Sequence, residues 1–298
     1  MRKTLMTIAG LVMALVLWYL LIKPQDYQVR FQARAIPGTI YETVKAWNKT
    51  QDSVLPIGYG DPARFQQTLV VGDSLHVYDW RIERIHDSLS LVRVNIKDPE
   101  HRLANKLSVP FSDTDLEKGA RRKLLDFNTF LSDHLGDIKV TVEGEAEQFT
   151  TYCACVPITS APEDKARGMM ANYSLLNSYL VGNGVVLNGP PFIEVERWDL
   201  KANSLDYNFC FPIIRSEKLP RHPDIIYKRI FAKNSLKAIY NGHYITSDRA
   251  WFALVDYAEK NDIPIERKPV EVFFNNPNLG GEGLDWRTEV YMPIKETK

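Results

Sequence analysis

The second half of the chain repeats one pattern of apolar and polar positions. Each copy contains a helical stretch, over residues 163–182 in the first and 246–261 in the second. After it come a strand of β-branched and aromatic residues, a polar loop and a strand that closes on an apolar-Pro-Ile signature. A repeated strand-helix-strand-strand unit predicts two facing halves with a ligand-binding cleft between them. The copies differ at one informative position, where the first has Asn208 and the second has Glu289.

The segment before this repeat, roughly residues 25–137, has a different pattern. Tyr27 to Ala35 alternates like a strand, and a helical stretch follows the Pro37-Gly38 turn. A long helix runs from the Ser112 region to about His134, with leucine and phenylalanine as its apolar stripe. Between these helices the alternation predicts strands over 65–71, 75–85, 89–96 and 105–111. This order describes a sheet wrapped over a helix.

The N-terminus carries an uncharged apolar run from Thr4 to Ile22, with Trp18 and Tyr19 near its far end. About 20 such residues cross a bilayer, and aromatic residues are common at its interface. We therefore predict an uncleaved single-pass transmembrane anchor over residues 1–24, which makes the membrane a partner. A cleaved signal peptide is the alternative, but a small-residue cleavage site is missing. Basic residues favour a cytoplasmic N-terminus, with the remaining domains extracytoplasmic, and periplasmic in a Gram-negative bacterium.

Composition narrows the function. The 298 residues are 45% hydrophobic and 25% charged, which is typical of globular domains, and 37 basic residues balance 37 acidic ones. Because no basic stripe or helix-turn-helix is visible, we expect no nucleic-acid partner. We interpret Cys153, Cys155 and Cys210 as small apolar residues packed in a sheet rather than as redox groups, a disulfide scaffold or a metal site. No cofactor is expected.

The opening of the 25–137 segment, FQARAIPGTIYETVKAWNK, together with the order of elements after it, resembles the polyketide-cyclase/START-like helix-grip superfamily. The resemblance covers about 110 residues and rests on layout more than on any motif. It implies an apolar cavity beneath the terminal helix. A reduced cavity, with the domain acting as a structural spacer, is the alternative.

Residues 138–298 are similar to the GyrI-like small-molecule-binding domain, also called the AraC-type effector-binding domain. The residues that carry this resemblance are a strand ending in Gly242-His243-Tyr244, a helix bearing Trp251, and the stretches PVEVFFNNP and EVYMPI. The resemblance implies a duplicated, pseudo-symmetric fold. The expected class is thus α+β: a transmembrane helix (1–24), a β-rich helix-grip-like domain (25–137) and a duplicated GyrI-like domain (138–298).

The same resemblance implies capture of a lipophilic or cationic molecule in the central groove, with Glu289 as the carboxylate. Glu289 and Tyr291 share one face of a strand, and a carboxylate beside aromatic faces attracts cations. The remaining candidate wall residues are Trp251, Tyr244, Tyr173, Trp198 and Phe274. Their structural alternatives are a helix-core role for Trp251, a sheet-edge cover for Trp198 and a salt bridge for Glu289.

Two other functions stay open at this point. Some GyrI-like proteins are hydrolases of electrophilic small molecules. By that analogy Glu289 activates a water, while a tyrosine such as Tyr244 or Tyr173 donates to the developing anion. No independent catalytic motif supports an enzyme. The second alternative is a structural or interaction module that displays its domains to a protein partner that the sequence does not name. An open groove favours ligand binding, and a groove packed shut favours the structural role.

Overall fold

The computed structural model describes residues 2–19, 25–108, 114–276 and 280–296. The chain divides into two compact units, residues 1–132 and 133–298. One antiparallel sheet has four strands and the other has eight. The α+β part of the predicted class is therefore correct.

The predicted transmembrane anchor is wrong, and the predictions of a membrane partner and a single-pass localisation fail with it. The N-terminal helix, α1, covers Arg2–Leu17, which is 16 residues. At about 1.5 Å per residue it is shorter than the roughly 30 Å hydrocarbon core. No helix in the described ranges is long and apolar enough to cross a membrane. The predicted run extends to Ile22, and residues 20–24 lie outside the described part.

The first unit contains a sheet in the order β1-β4-β3-β2. Its elements are β1 (Tyr27–Ala33), α2 (Pro37–Asn48), β2 (Arg64–Val71), β3 (Ser74–His86), β4 (Leu89–Lys97), α3 (Arg102–Ser108) and most of α4 (Asp115–Gly136). Aromatic side chains from both layers fill the core. The Phe127 ring of α4 lies edge-on to Trp47 of α2 and to Trp80 of β3, with centroids 5.4 and 5.1 Å away.

The strand predicted over 105–111 is wrong for residues 105–108, which belong to α3. The Asp98 side chain accepts hydrogen bonds from the backbone N–H groups of Glu100 and His101, at 3.0 and 3.1 Å. Such a capping aspartate satisfies free donors near the start of a helix. Residues 109–111 lie outside the described ranges.

The second unit contains the eight-stranded sheet, in the order β5-β10-β12-β11-β7-β8-β6-β9. Its helices match the two predicted stretches closely. Its elements are β5 (Lys139–Glu147), β6 (Thr151–Ser160), α5 (Lys165–Gly182), β7 (Phe192–Asp199), β8 (Ser204–Pro212), β9 (Ile226–Ile230), β10 (Asn234–Asn241), α6 (Arg249–Lys260), β11 (Val270–Phe273) and β12 (Arg287–Pro293). The predicted polar turn closes the β7–β8 hairpin: Asp199 accepts hydrogen bonds from the N–H groups of Lys201 and Ala202.

Strand register shows that this sheet consists of two equivalent halves. β7 and β11 pair at its centre, with Ile193 opposite Glu271. Outward from them, β8 corresponds to β12, β6 to β10, and β9 to β5. Asn208 pairs with the third residue of β7, and Glu289 pairs with the third residue of β11. The predicted correspondence between Asn208 and Glu289 is therefore confirmed.

The two faces of this sheet differ in what covers them. Helices α5 and α6 pack on one face, called here the helix face, where Trp251, Leu176 and Phe209 belong to one buried cluster. Side chains alternate along a strand, so neighbouring residues lie on the other face, called here the opposite face. There Phe192, Val270 and the three cysteines form a second buried cluster.

Candidate functional site

The centre of the helix face contains a fully buried carboxylate. Glu271 lies on β11, one of the two innermost strands, and its side chain has no solvent exposure. Its Oε2 accepts hydrogen bonds from Lys165 Nζ at 2.7 Å and from Ser247 Oγ at 3.1 Å. Its Oε1 accepts one from Trp251 Nε1 at 2.5 Å. Because buried polar groups are costly unless bonded, these contacts are what permits a charge here.

The Glu271 carboxylate forms a buried ion pair with Lys165. Burial raises the pKa of Glu271, while the charge and hydrogen bond of Lys165 act in the other direction. Lys165 is equally inaccessible and also donates to Ser247 Oγ at 2.7 Å. It comes from the first turn of α5, whereas Ser247 lies just before α6. The starts of the two equivalent helices therefore meet at one carboxylate, at the junction of the two halves.

Aromatic rings cover this pair. Lys165 Nζ lies 4.6 Å from the centre of the Trp251 ring, within cation–π range. The Trp198 ring is edge-on to Trp251 at 5.2 Å and to Phe252 at 5.1 Å. Trp198 is only partly buried, unlike Trp251. Trp198 is thus the outer of two edge-on rings, and the inner ring, Trp251, contacts the ammonium group. We call Lys165, Glu271, Ser247, Trp251 and Trp198 the seam cluster.

The opposite face holds Glu289. Its carboxylate accepts hydrogen bonds from Tyr291 Oη at 2.7 Å and from Arg287, and its Oε1 lies 3.3 Å from Lys237 Nζ. Lys237 is shared with Glu143 at 3.1 Å. Burial favours a higher pKa, but the Tyr291 bond and the two cations hold the pKa of Glu289 below its usual value. Glu289 therefore already has two cationic partners.

The predicted site residues do not all come together. Trp251, Tyr244 and Tyr173 belong to the helix-face cluster or pack against it, as does Trp198. Glu289 and Tyr291 lie on the opposite face. Tyr244 exchanges two hydrogen bonds with the backbone of Asn275, at 2.8 and 2.9 Å. The carboxylate and the tyrosine of the hydrolase hypothesis thus lie on different faces of the sheet.

The rings of Tyr173 and Phe274 have partners outside the seam cluster. Tyr173 of α5 packs edge-on to Phe211, with ring centres 5.4 Å apart. Phe274 follows β11 and is 45% exposed, with the Arg287 guanidinium 5.1 Å from its ring centre.

Sequence reasoning missed Glu271, Lys165 and Ser247. A signal for Glu271 was present, because it is the single acid in the apolar strand segment Val270 to Phe273. No comparable signal marks Lys165, since a lysine in the first turn of a helix is ordinarily solvated. Only the fold brings it to a carboxylate 106 residues away in the chain.

The structure also corrects the interpretation of the cysteines. Cys155 on β6 is directly opposite Cys210 on β8, and the two form a disulfide across the strands. Cys153 is a free, buried thiol whose Sγ lies 3.4 Å from that of Cys155. The three cysteines are packed in a sheet, as predicted, and Cys153 and Cys155 share one face of it. However, two of the three are disulfide-bonded. The pairing depends on strand register, which chain spacing does not reveal.

Two cavities lie away from the predicted residues. One, of about 560 Å³, opens at the edge of β6 beyond its pairing with β9, between Ile158, Asn172 and Ile226. The other, of about 210 Å³, is in the first unit and includes polar side chains such as Gln51, Asp52 and Arg122 in its wall. Neither cavity is lined by a predicted ligand residue.

Comparison with known proteins gives distant structural likenesses. No family model matches the sequence, and no curated protein matches it. The crystal structure of the EcmrR C-terminal domain is 16% identical, with 54% of this chain and 99% of that chain covered and a TM-score of 0.44. SAV2435 bound to tetraphenylphosphonium is 8% identical, covering 52% and 94%, with a TM-score of 0.36. A hydrolase from Listeria innocua is 11% identical, covering 53% and 92%, with a TM-score of 0.32.

Proposed function

We propose that the second unit binds a small lipophilic cation at the seam cluster. The observation that carries this proposal is the position of the Lys165 ammonium group. It is 2.7 Å from a buried carboxylate oxygen and 4.6 Å from the centre of an indole ring. A carboxylate combined with an aromatic face is a cation-binding arrangement. In this structure the chain's own ammonium group occupies it.

Trp198 is the group whose movement gives a ligand access. It is partly buried and its ring covers Trp251 and Phe252 in edge-on contacts. An aromatic cation that replaces the Trp198 ring on Trp251 lies next to the Lys165–Glu271 pair. Because the closed form must open first, the apparent affinity falls by the fraction of molecules that are open.

A delocalised cation has an energetic advantage over an ammonium group at this place. An ammonium group is strongly hydrated, and taking it out of water is expensive. A lipophilic cation loses less hydration and also buries apolar surface against Trp251. It can therefore share or take over Glu271, while Lys165 turns outward from the first turn of α5. The GyrI-like resemblance motivates the ligand class, and the seam cluster supplies a specific location.

The alternative location is Glu289 with Tyr291, as the sequence predicts. A ligand cation there competes with both Lys237 and Arg287, and Lys237 also serves Glu143. Two positive groups around one carboxylate reduce its attraction for a third. This balance of charge favours Glu271 over Glu289 as the ligand carboxylate.

Titration calorimetry with tetraphenylphosphonium tests the proposal. Glu271→Gln keeps an acceptor for Trp251 but removes the negative charge, so we expect binding to weaken at least tenfold, about 1.4 kcal/mol. Glu289→Gln is the matched control on the opposite face and should bind like the wild type. Trp198→Ala should bind more tightly than wild type, a gain that a merely misfolded variant does not produce.

Three results would contradict the proposal. A wild type that does not bind tetraphenylphosphonium at all removes the function. Binding lost in Glu289→Gln and kept in Glu271→Gln assigns the ligand to the opposite face. Weaker binding in a folded Trp198→Ala means that this ring is a contact residue rather than a cover.

A further inference from the structure

All three cysteines of the chain meet at one place. The sequence contains only Cys153, Cys155 and Cys210, and their sulfur atoms lie within 4.8 Å of one another. They come from two neighbouring strands on the opposite face of the sheet, and none has any solvent exposure. Two residues of β6 and one of β8 therefore form a compact sulfur cluster. It shares no residue with the seam cluster.

Because the sheet has two equivalent halves, the residues that replace the three cysteines in the other half show whether packing requires sulfur at these positions. By strand register, the second half has Ser235 where the first has Cys153. Lys237 corresponds to Cys155, and Tyr291 corresponds to Cys210. The same framework thus accepts hydroxyl, ammonium and phenol groups at these three positions. The sheet does not require sulfur there, so the convergence of three sulfurs points to chemistry.

We propose that, once the disulfide is reduced, Cys153, Cys155 and Cys210 form a three-thiolate site for a trivalent thiophilic ion of the arsenite class. Reduction by a thiol or phosphine reductant adds two electrons and two protons to Cys155–Cys210 and gives two thiols. Arsenous acid then exchanges its three hydroxyl groups for three sulfurs: As(OH)₃ + 3 RSH → As(SR)₃ + 3 H₂O. No oxidation state changes in this second step.

Charge selects a trivalent ion over a divalent one. Three thiolates with As(III) form a neutral complex, whereas three thiolates with Zn²⁺ keep one negative charge. The cluster is surrounded by apolar side chains, including Phe192, Ile230 and Val270, and burying a net charge there is costly. The nearby Lys228 ammonium is already engaged by Glu194 and Glu196.

The number of available ligands also favours As(III) over zinc. Zinc sites are almost always tetrahedral and need a fourth ligand. Among the described residues, the metal-ligating group at this place consists of the three cysteines alone. A pyramidal As(III) centre needs three sulfurs. With bonds of about 2.3 Å, the length of a zinc–thiolate bond, three sulfurs around a pyramidal ion lie roughly 3.5 Å apart. Cys153 Sγ is already 3.4 Å from Cys155 Sγ, and reduction frees the Cys155 and Cys210 sulfurs, which are now bonded to each other, to separate to a similar distance.

A short edge strand controls access. β9 has five residues and lies at the edge of the sheet, beside β6. Cys153 pairs with Lys228 of β9, and its thiol donates a hydrogen bond to the Lys228 carbonyl at 3.4 Å. Local opening of a short edge strand requires less free energy than opening the sheet centre. Separation of β9 from β6 therefore exposes the cluster to a small neutral molecule such as As(OH)₃.

The test uses the full chain, reduced with a phosphine that is then removed without oxygen, and one equivalent of As(OH)₃. Native mass spectrometry should show one arsenic atom gained and three hydrogens lost. Thiol titration should fall from three groups to none. Cys153→Ala, which leaves two thiols, should bind arsenic at least tenfold more weakly. Ser235→Ala, at the equivalent position in the other half, is the matched control and should bind like the wild type.

Several results overturn the proposal. These are a disulfide that resists reduction in the folded chain, a reduced wild type that takes up no arsenic, and a Cys153→Ala chain that binds arsenic like the wild type. Zinc that binds more tightly than arsenite overturns the charge argument. Circular dichroism of the metal-free variants identifies any that fail to fold, and Cys153→Ser then replaces Cys153→Ala.

Discussion

The buried pair Lys165–Glu271 gives the sharpest energetic prediction. Both side chains have no exposure, and the ammonium and carboxylate are 2.7 Å apart. Removing one partner leaves the other as an uncompensated buried charge, whereas removing both charges leaves none. We therefore expect the double variant Lys165→Met/Glu271→Gln to be more stable than either single variant.

The magnitudes follow from the contacts. Each single substitution should lower the free energy of unfolding by about 3–5 kcal/mol, the usual cost of breaking a buried ion pair. In the double variant, the side-chain oxygen of the introduced glutamine still accepts from Trp251, and methionine fills the space of the lysine stem. The cost of the double variant should stay below about 2 kcal/mol, because a lost neutral hydrogen bond costs about 1 kcal/mol. Arg267→Ala/Glu259→Ala breaks an exposed pair in the same unit and should cost less than about 1 kcal/mol.

Amide hydrogen exchange with mass spectrometry is the appropriate assay, because peptides from β7 and β11 report on the second unit alone. The exchange free energies of these peptides should fall strongly in both single variants and partly recover in the double variant. Additive losses in the double variant would contradict this expectation. They would mean that the two side chains stabilise the fold independently of their pairing.

Three further predictions concern other parts of the chain. The pKa of Glu289 in the folded chain lies below its ordinary value of 4.5. The ionised Glu289 carboxylate therefore stabilises the fold above pH 4.5, and this stabilisation is lost as the pH falls through the folded-state pKa. The difference in melting temperature between wild type and Glu289→Gln should shrink in acid. Reducing Cys155–Cys210, which spans 55 residues, should lower the stability of the second unit by about 4 kcal/mol in denaturant titrations. Phe127→Ala should lower the stability of the first unit by about 3–5 kcal/mol in the same assay, because its fully buried ring contacts Trp47 and Trp80.

The duplicated sheet was predictable because its signals are local. Alternation of apolar residues and the apolar-Pro-Ile endings identify the strands, and two helical stretches fix the repeat. The equivalence of Asn208 and Glu289 follows from counting along those strands. The N-terminal apolar run led to the wrong prediction of a transmembrane anchor, because hydropathy alone does not determine helix length. The helix α1 ends at Leu17.

The candidate site was only half predictable because it depends on which face of the sheet a residue occupies. Glu289 and Tyr291 were correctly assigned to one face, but four of the aromatic residues grouped with them lie on the other: Trp251, Tyr244, Tyr173 and Trp198. Lys165 reaches Glu271 from 106 residues away, and the disulfide depends on register between strands 55 residues apart. Contacts of this kind arise from tertiary packing, which single-sequence patterns do not encode.

Tetraphenylphosphonium binding to wild type, Glu271→Gln and Glu289→Gln decides whether the seam cluster is the ligand site. We expect saturable binding to the wild type and to Glu289→Gln, with at least tenfold weaker binding to Glu271→Gln. No binding to the wild type, or a loss confined to Glu289→Gln, would contradict it.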